Sequence, residues 1–190
     1  QVAKALWRTG VLDGVLRFRG ALRLPVLTVL TYHHVEDPAA DSPFDPGVAD
    51  AQPAQFQRQM ELVARYGTAL TIDQLVGIVC HGERPPKNPI LITFDDGYRS
   101  CLEIATPILR KVGIPATFFI ATRFIEERRL FWWERVNVVL DRARAGGLRG
   151  DVALPGHPVR VSVGEGPLGT ADAVVAITRY IKDTHGLDIE

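Results

Sequence analysis

Two aspartates in succession, Asp95 and Asp96, stand directly after the apolar run Pro89-Ile-Leu-Ile-Thr-Phe94 and directly before Gly97. In open parallel sheets and α/β barrels the active site lies at the carboxyl ends of the strands, so catalytic carboxylates are expected at this position. Neighbouring residues leaving a strand point in different directions, so one carboxylate can hold a metal while the other faces a substrate. The competing structural role is an Asx turn or a cap leading into the next helix. Tyr32-His33-His34 ends an earlier apolar run in the same way. A histidine there can act as a general acid, giving a proton to a leaving amine near neutral pH. Adjacent histidines cannot both face inward from an extended strand, so at most one of the two takes that role.

The elements that would position these groups are legible from periodicity. Residues 25–32 are β-branched and almost continuously apolar, which predicts a strand buried on both faces. Residues 33–53 are polar and rich in Pro and Asp and read as a long loop, a kind of segment that often carries function. Residues 55–66 put Phe56, Met60, Val63 and Ala64 on one helical face, and Thr71-Ile-Asp-Gln74 is a capping-box pattern that opens a second helix. Residues 89–94 are the second buried strand. Ser100-Cys-Leu-Glu103 is another capping-box pattern, and Leu102, Ala105, Leu109 and Val112 continue that helical face. Residues 115–121 are the third buried strand. Strands alternating with helices of this length imply right-handed βαβ crossovers and parallel strands, in an open sheet or a barrel.

Both ends of the chain differ from this pattern. Residues 1–23 have helical spacing with Lys4, Arg8 and Arg17 among the apolar positions, interrupted by Gly10 and Gly14. That suits a peripheral helix covering one end of a domain, or a basic amphipathic helix on a membrane surface. Residues 130–145 predict a helix that begins with Phe131-Trp132-Trp133, residues 151–163 a hairpin around Pro155-Gly156, and residues 170–184 a last helix. The organisation expected is a helical segment over 1–23, βα units over 24–125 and an insertion or accessory lobe over 126–190.

Thr93-Phe-Asp-Asp-Gly97, with the apolar strand before it and Tyr98 after it, resembles the first motif of the polysaccharide deacetylases, the NodB-like domains of carbohydrate esterase family four. Tyr32-His33, the helix near Phe56, the helix opening at Thr71, and Pro107-Ile-Leu followed by Pro115-Ala-Thr-Phe-Phe fall in the order of that family over about residues 24–133. The resemblance implies an α/β fold, a partial (β/α) barrel of NodB-like type with a helical and hairpin insertion at its C-terminal end. It implies metal-dependent removal of N-acetyl, sometimes O-acetyl, groups from an acetylated oligo- or polysaccharide. Carried over by position, Asp95 matches the catalytic base, Asp96 the metal-ligating carboxylate, and His33 the general acid of the branch whose first strand ends in Tyr-His. Tyr98 and Trp132 are candidate substrate contacts. The aromatic trio reads first as a helix face anchoring the insertion and second as a sugar-stacking platform. The implied cofactor is a divalent metal, zinc with cobalt or nickel as alternatives.

One part of the family pattern is missing. Its metal is completed by two histidines four residues apart, whereas the histidines here are 33, 34, 81, 157 and 185. His81, His157 and His185 read as surface residues, so a second and a third ligand are not found in this sequence. A (β/α) barrel also takes about 250 residues, against 190 here. The expectation is the N-terminal half of a deacetylase, inactive alone, with the histidine half of the site outside this sequence.

Composition narrows the alternatives. The chain has 22 basic and 22 acidic side chains and no net charge, so it lacks the electrostatic footprint of a nucleic-acid binder. Its 46% apolar and 23% charged residues are an ordinary globular balance. Two cysteines, Cys80 and Cys101, make neither a disulfide framework nor a four-ligand zinc site. No apolar run approaches the roughly 18 residues of a membrane span. No secretory signal opens the sequence as given, which leaves cytoplasm and cell envelope both open. The rival readings are a degenerate, non-catalytic NodB-like domain that binds a glycan or a protein, and a magnesium-dependent phosphotransferase. The second is disfavoured by adjacent rather than alternating aspartates and by the lack of a Gly-rich phosphate loop.

Overall fold

The computed structural model describes residues 14–15, 17–18, 26–37, 49–148, 150–153, 160–163 and 166–185. They divide into two compact units, the first ending at Ala121 and the second beginning at Thr122.

The first unit is built on a parallel sheet. Its centre is β5 (Pro89–Phe94), every residue of which is buried, as its almost wholly apolar sequence requires, with the Thr93 hydroxyl hydrogen-bonded to Thr31 Oγ1 at 3.0 Å. Strand β1 (Thr28–Tyr32) lies along one edge of β5, in register from Thr28 opposite Ile90 to Tyr32 opposite Phe94. Along the other edge, β4 (Thr68–Leu70) pairs with residues 89–91 and β6 (Thr117–Phe118) with Thr93 and Phe94. All of these pairings are parallel. The structure thus bears out an α/β fold with a parallel sheet. Two short strands, β2 (His34–Val35) and β3 (Ala49–Ala51), form a second parallel pair just past the end of β1.

The helices follow their sequence signals closely where apolar residues recur at helical spacing. Helix α1 (Pro53–Tyr66) buries Phe56, Met60 and Val63. Helix α2 (Ile72–His81) carries the expected reciprocal cap: Gln74 N–H donates to Thr71 Oγ1 at 3.2 Å and Thr71 N–H to Gln74 Oε1 at 2.9 Å. Helix α3 (Thr106–Val112) leads into β6 and is preceded by a π-helical turn, Cys101–Ala105.

Several local expectations need correcting. Strand β1 is not buried on both faces: its residues alternate, with Val29 and Thr31 exposed on one face and Leu30 and Tyr32 turned to the covered face. The third strand shrinks to Thr117–Phe118, and Phe119 and Ile120 beyond it are exposed. Part of the expected loop 33–53 forms β2 and β3, while residues 38–48 lie outside the described residues. Ser100 does not cap a helix. Its side chain makes no cap bond, Glu103 pairs with Arg99, and the π turn leaves Leu102 exposed rather than on the buried face. Pro107 has no N–H to return to this turn, and the Cys101 carbonyl accepts from both the Thr106 N–H and, at 2.8 Å, the Thr106 hydroxyl. Strand β4, only three residues long, carries no periodic signal of its own.

Beneath the carboxyl ends of β1 and β5 lies an aromatic layer. The rings of Phe118 and Phe94 stack at 4.9 Å, Phe94 and Tyr32 at 5.4 Å, and Phe56 meets Tyr32 edge-on at 5.1 Å. Such pairs contribute about 0.5–1.5 kcal/mol each beyond the area they bury. They also fix the two residues, Tyr32 and Phe94, from which the candidate site extends.

The second unit holds α4 (Thr122–Glu126), α5 (Trp132–Ala145), the antiparallel hairpin β7 (Gly150–Ala153) and β8 (Arg160–Val163), and α6 (Gly166–His185). Leu140, Ala173 and Val174 form its core, with Val136, Ile177 and Tyr180 against them. The hairpin turn and the ends of the chain, including His157 and the expected helix over most of residues 1–23, lie outside the described residues. Among the described residues no helix is long and apolar enough to cross a membrane.

Candidate active site at the carboxyl ends of two parallel strands

Because Tyr32 and Phe94 are register partners, the next residues of each strand, His33 and Asp95, emerge side by side. The Asp95 amide N–H donates to the Tyr32 carbonyl at 2.9 Å, continuing the ladder one step past β5. The chain then turns sharply. Gly97 N–H donates to the Asp95 carbonyl at 2.9 Å, and Asp96 and Gly97 both take left-handed backbone conformations, φ +71° and +79°. Aspartate is among the few side chains that tolerate this region. At Gly97 even a Cβ would be crowded, lying 3.2 Å from Ile120 Cγ2. The Asp-Asp-Gly order is therefore a backbone requirement of the turn as well as a pair of carboxylates.

Asp95 and Asp96 are half-buried. Burial pushes the Asp96 carboxyl above the usual carboxylate range; the His33 imidazole offsets part of that and the Asp95 charge adds to it. The Asp96 carboxyl thus lies within electrostatic reach of both His33 and Asp95. His33 is itself partly exposed and lies 3.4 Å, Nδ1 to Oδ2, from Asp50.

His34 takes the opposite side of the chain. It is 3% exposed, with Nδ1 3.2 Å from Ser100 Oγ, Nε2 3.5 Å from Glu36 Oε2, and its ring 4.7 Å from the Tyr98 ring. Burial lowers its pKa, with Glu36 and then Asp50 acting in the other direction. Tyr98 is 7% exposed, its ring against His34. Trp132 is half-buried in the second unit. It lies edge-on to Trp133 at 5.6 Å, Phe131 and Trp133 stack at 4.6 Å, and Trp132 lines an apolar groove of about 350 Å³ with Val136, Val139 and Ile177.

The residue that sequence reasoning missed is Asp50, on β3. Its Oδ2 accepts from the backbone N–H groups of both His33 and His34, as well as lying beside the His33 ring. Nothing in its local sequence marks it, since it sits in a Pro/Asp-rich stretch where several carboxylates look alike. Pairing of β2 with β3 selects it. Cys101 is the other unforeseen neighbour: its Sγ–H donates to the His33 carbonyl at 3.3 Å, and burial pushes its thiol up to about 11.

The metal that the family pattern implies does not fit the described donor set. Among the described residues no group of three or more His, Cys, Asp and Glu side chains is gathered to hold an ion. His81 is exposed at the end of α2.

Comparison with known proteins bears on the same segment. No curated protein sequence matches the chain significantly. Among solved structures, the chain is similar to IcaB from Ammonifex degensii (26% identity, 64% of this chain and 49% of that one, TM-score 0.46). It is also similar to the Streptococcus pyogenes deacetylase PplD in complex with acetate (22%, 61% and 53%, TM-score 0.42). A third is a de-N-acetylase from Aggregatibacter actinomycetemcomitans (17%, 80% and 50%, TM-score 0.43). The chain spans about half the length of these structures. Residues 82–147 match the family model described as polysaccharide deacetylase. The stretch that holds Asp95 and Asp96 is thus polysaccharide-deacetylase-like, and it is this family that the chain resembles.

Proposed function

We propose that the chain carries the carboxylate side of a metal-dependent deacetylase site for N-acetylated sugars, and that this polypeptide alone turns over little or no substrate. The observation that carries the reading is the emergence of Asp95, Asp96 and His33 together from neighbouring parallel strands, within the segment that matches the deacetylase family. Asp95 is the base that takes a proton from the attacking water. His33 is the acid that returns one to the sugar nitrogen as acetate leaves, and Asp50 orients it by holding its backbone N–H and facing its ring. Asp96 is the carboxylate that would hold a divalent metal, and the chemistry such an ion would supply there is polarisation of the acetyl carbonyl. The described residues do not complete its coordination, and that is the reason for expecting weak metal binding and low turnover. Residues 126–190 are read as an accessory lobe.

Acetate release from chitooligosaccharides, with zinc or cobalt added, tests the inactivity; robust turnover overturns it. Binding tests the substrate class. In amide-detected NMR titration, an N-acetylated chitooligosaccharide is expected to shift Asp95, Gly97 and His33, with the fully deacetylated oligomer weaker and Asp95→Asn altering the response. Shifts confined to other surfaces would overturn the assignment. The incomplete ligand set favours one second reading, a non-catalytic glycan-binding domain. Zinc titration separates the two: a metal site binds zinc in a manner lost on Asp96→Asn, whereas a binding module is indifferent to that change.

A further inference from the structure

The segments that carry His33 and Asp95–Gly97 are joined beyond the last strand pair by contacts that the proposed chemistry does not use. The His34 imidazole meets Ser100 on one ring nitrogen and faces Glu36 with the other, and its ring packs on Tyr98. Ser100 and Tyr98 lie on the stretch that follows the Asp-Asp-Gly turn, whereas His34 is the residue after His33. With Glu36 as the acceptor on that side, the ring proton would sit on Nε2 and Nδ1 would accept from the Ser100 hydroxyl. A neutral ring with one donor and one acceptor matches those two neighbours, and its burial favours the neutral form. The Cys101 thiol, next to Ser100, donates to the His33 carbonyl from the same side.

We propose that His34 is a positioning residue: through Ser100 and Tyr98 it holds the His33 backbone against the turn that carries Asp95 and Asp96. The relevance to catalysis rests on the reading of those three residues as the reactive groups; the clamp itself does not. Asp50 holds the His33 segment from its N–H side, and Cys101, on the stretch after the turn, holds its carbonyl. His34 adds a side-chain link to that stretch through Ser100 and Tyr98, beside the backbone bond from Asp95 to Tyr32. It thereby helps set the separation of acid and base, a quantity in which errors of about 1 Å can cost 100-fold in rate.

Residue-resolved amide hydrogen exchange on the whole 190-residue chain tests this without substrate or metal. In His34→Ala, exchange at His33 and Asp95 is expected to accelerate by about tenfold or more while Leu91 and Ile92 keep their wild-type protection. His34→Asn, whose side-chain oxygen lies near the Nδ1 position, should restore protection, and His34→Gln, which reaches toward Glu36 instead, should not. Ser100→Ala keeps the test decisive if His34→Ala fails to fold, since it removes the same link while leaving the ring in place. Unchanged exchange at His33 and Asp95 in Ser100→Ala, equal acceleration throughout β5, or rescue by Gln rather than Asn would each overturn the proposal. Failure of the deacetylase reading would appear in the glycan titration and leave these amides untouched, so the two can fail separately.

Discussion

The amide of Asp95 donates to the carbonyl of Tyr32 at 2.9 Å, so the first residue beyond β5 is fastened to the last residue of β1. One backbone bond thereby ties the aspartate pair to the segment that begins with His33. Everything else at the site is arranged around that junction: aromatic rings below it, a left-handed turn on one side, and Asp50 and His34 on the other.

The turn makes a prediction about its own glycine. Gly97→Ala places a Cβ in a left-handed conformation and within 3.2 Å of Ile120. Urea unfolding is expected to show a loss of about 1–2 kcal/mol. Asp96→Gly, at φ +71°, should be more stable than Asp96→Ala by about 1 kcal/mol, although both remove the carboxylate. Equal stabilities would show that the left-handed geometry at Asp96 does not persist in solution.

Tyr32 predicts the alkaline behaviour of the fold. Its phenol donates to Gln59 Oε1 at 2.8 Å, and burial, with a smaller contribution from the Asp50 charge, pushes its pKa up to about 12. An unfolded tyrosine titrates near 10. The stabilising contribution is thus complete below pH 10 and is lost as pH rises from about 10 to about 12. Tyr32→Phe should flatten that part of the stability curve. Asp50→Asn should lower the spectroscopic midpoint of Tyr32 only partly, because burial is the larger cause.

His34 predicts a loss of stability on the acid side. Its folded pKa lies below the unfolded value, so the neutral ring stabilises the fold above about 6.5 and the contribution falls away as pH drops below it. Groups acting on the ring include Glu36 and Ser100 beside it and the Asp50 charge. Chemical denaturation between pH 7 and pH 5 should show a shallower decline in His34→Asn than in the wild type, and an unchanged slope would refute the assignment.

The two thiols should differ sharply in reactivity. Cys80 is exposed, whereas Cys101 is buried, hydrogen-bonded to the His33 carbonyl and raised to about 11. At pH 8 iodoacetamide should modify the native protein once, at Cys80, and Cys80→Ser should react only after denaturant is added. Rapid modification of Cys101 in native protein would show that the contact between the π turn and the His33 segment opens readily.

Much of this protein is readable one segment at a time, and the reading stops where segments meet. The run from Pro89 to Phe94, the spacing of Phe56, Met60 and Val63, and the Thr71–Gln74 cap are local signals, and each produced the expected element. Ser100 shows the limit. Its capping-box pattern is intact, yet its hydroxyl is drawn 66 positions along the chain to His34, and a π turn forms instead of a capped start. The assignment of the two histidines was equally out of local reach. Alternation said that they must diverge, but only the approach of Ser100, Tyr98 and Glu36 to one and of Asp50 to the other decided which is buried.

What the sequence by itself determined was the kind of chemistry and its place: an aspartate pair and a histidine leaving the ends of apolar strands, with a glycine where the chain must turn. Those are properties of residue type and short-range order. The tertiary structure alone decided that β1 and β5 are neighbours in register, so that His33 and Asp95 emerge together, and that Asp50 faces His33. Strand pairing and side-chain burial depend on contacts between residues far apart in the chain, which local periodicity does not encode.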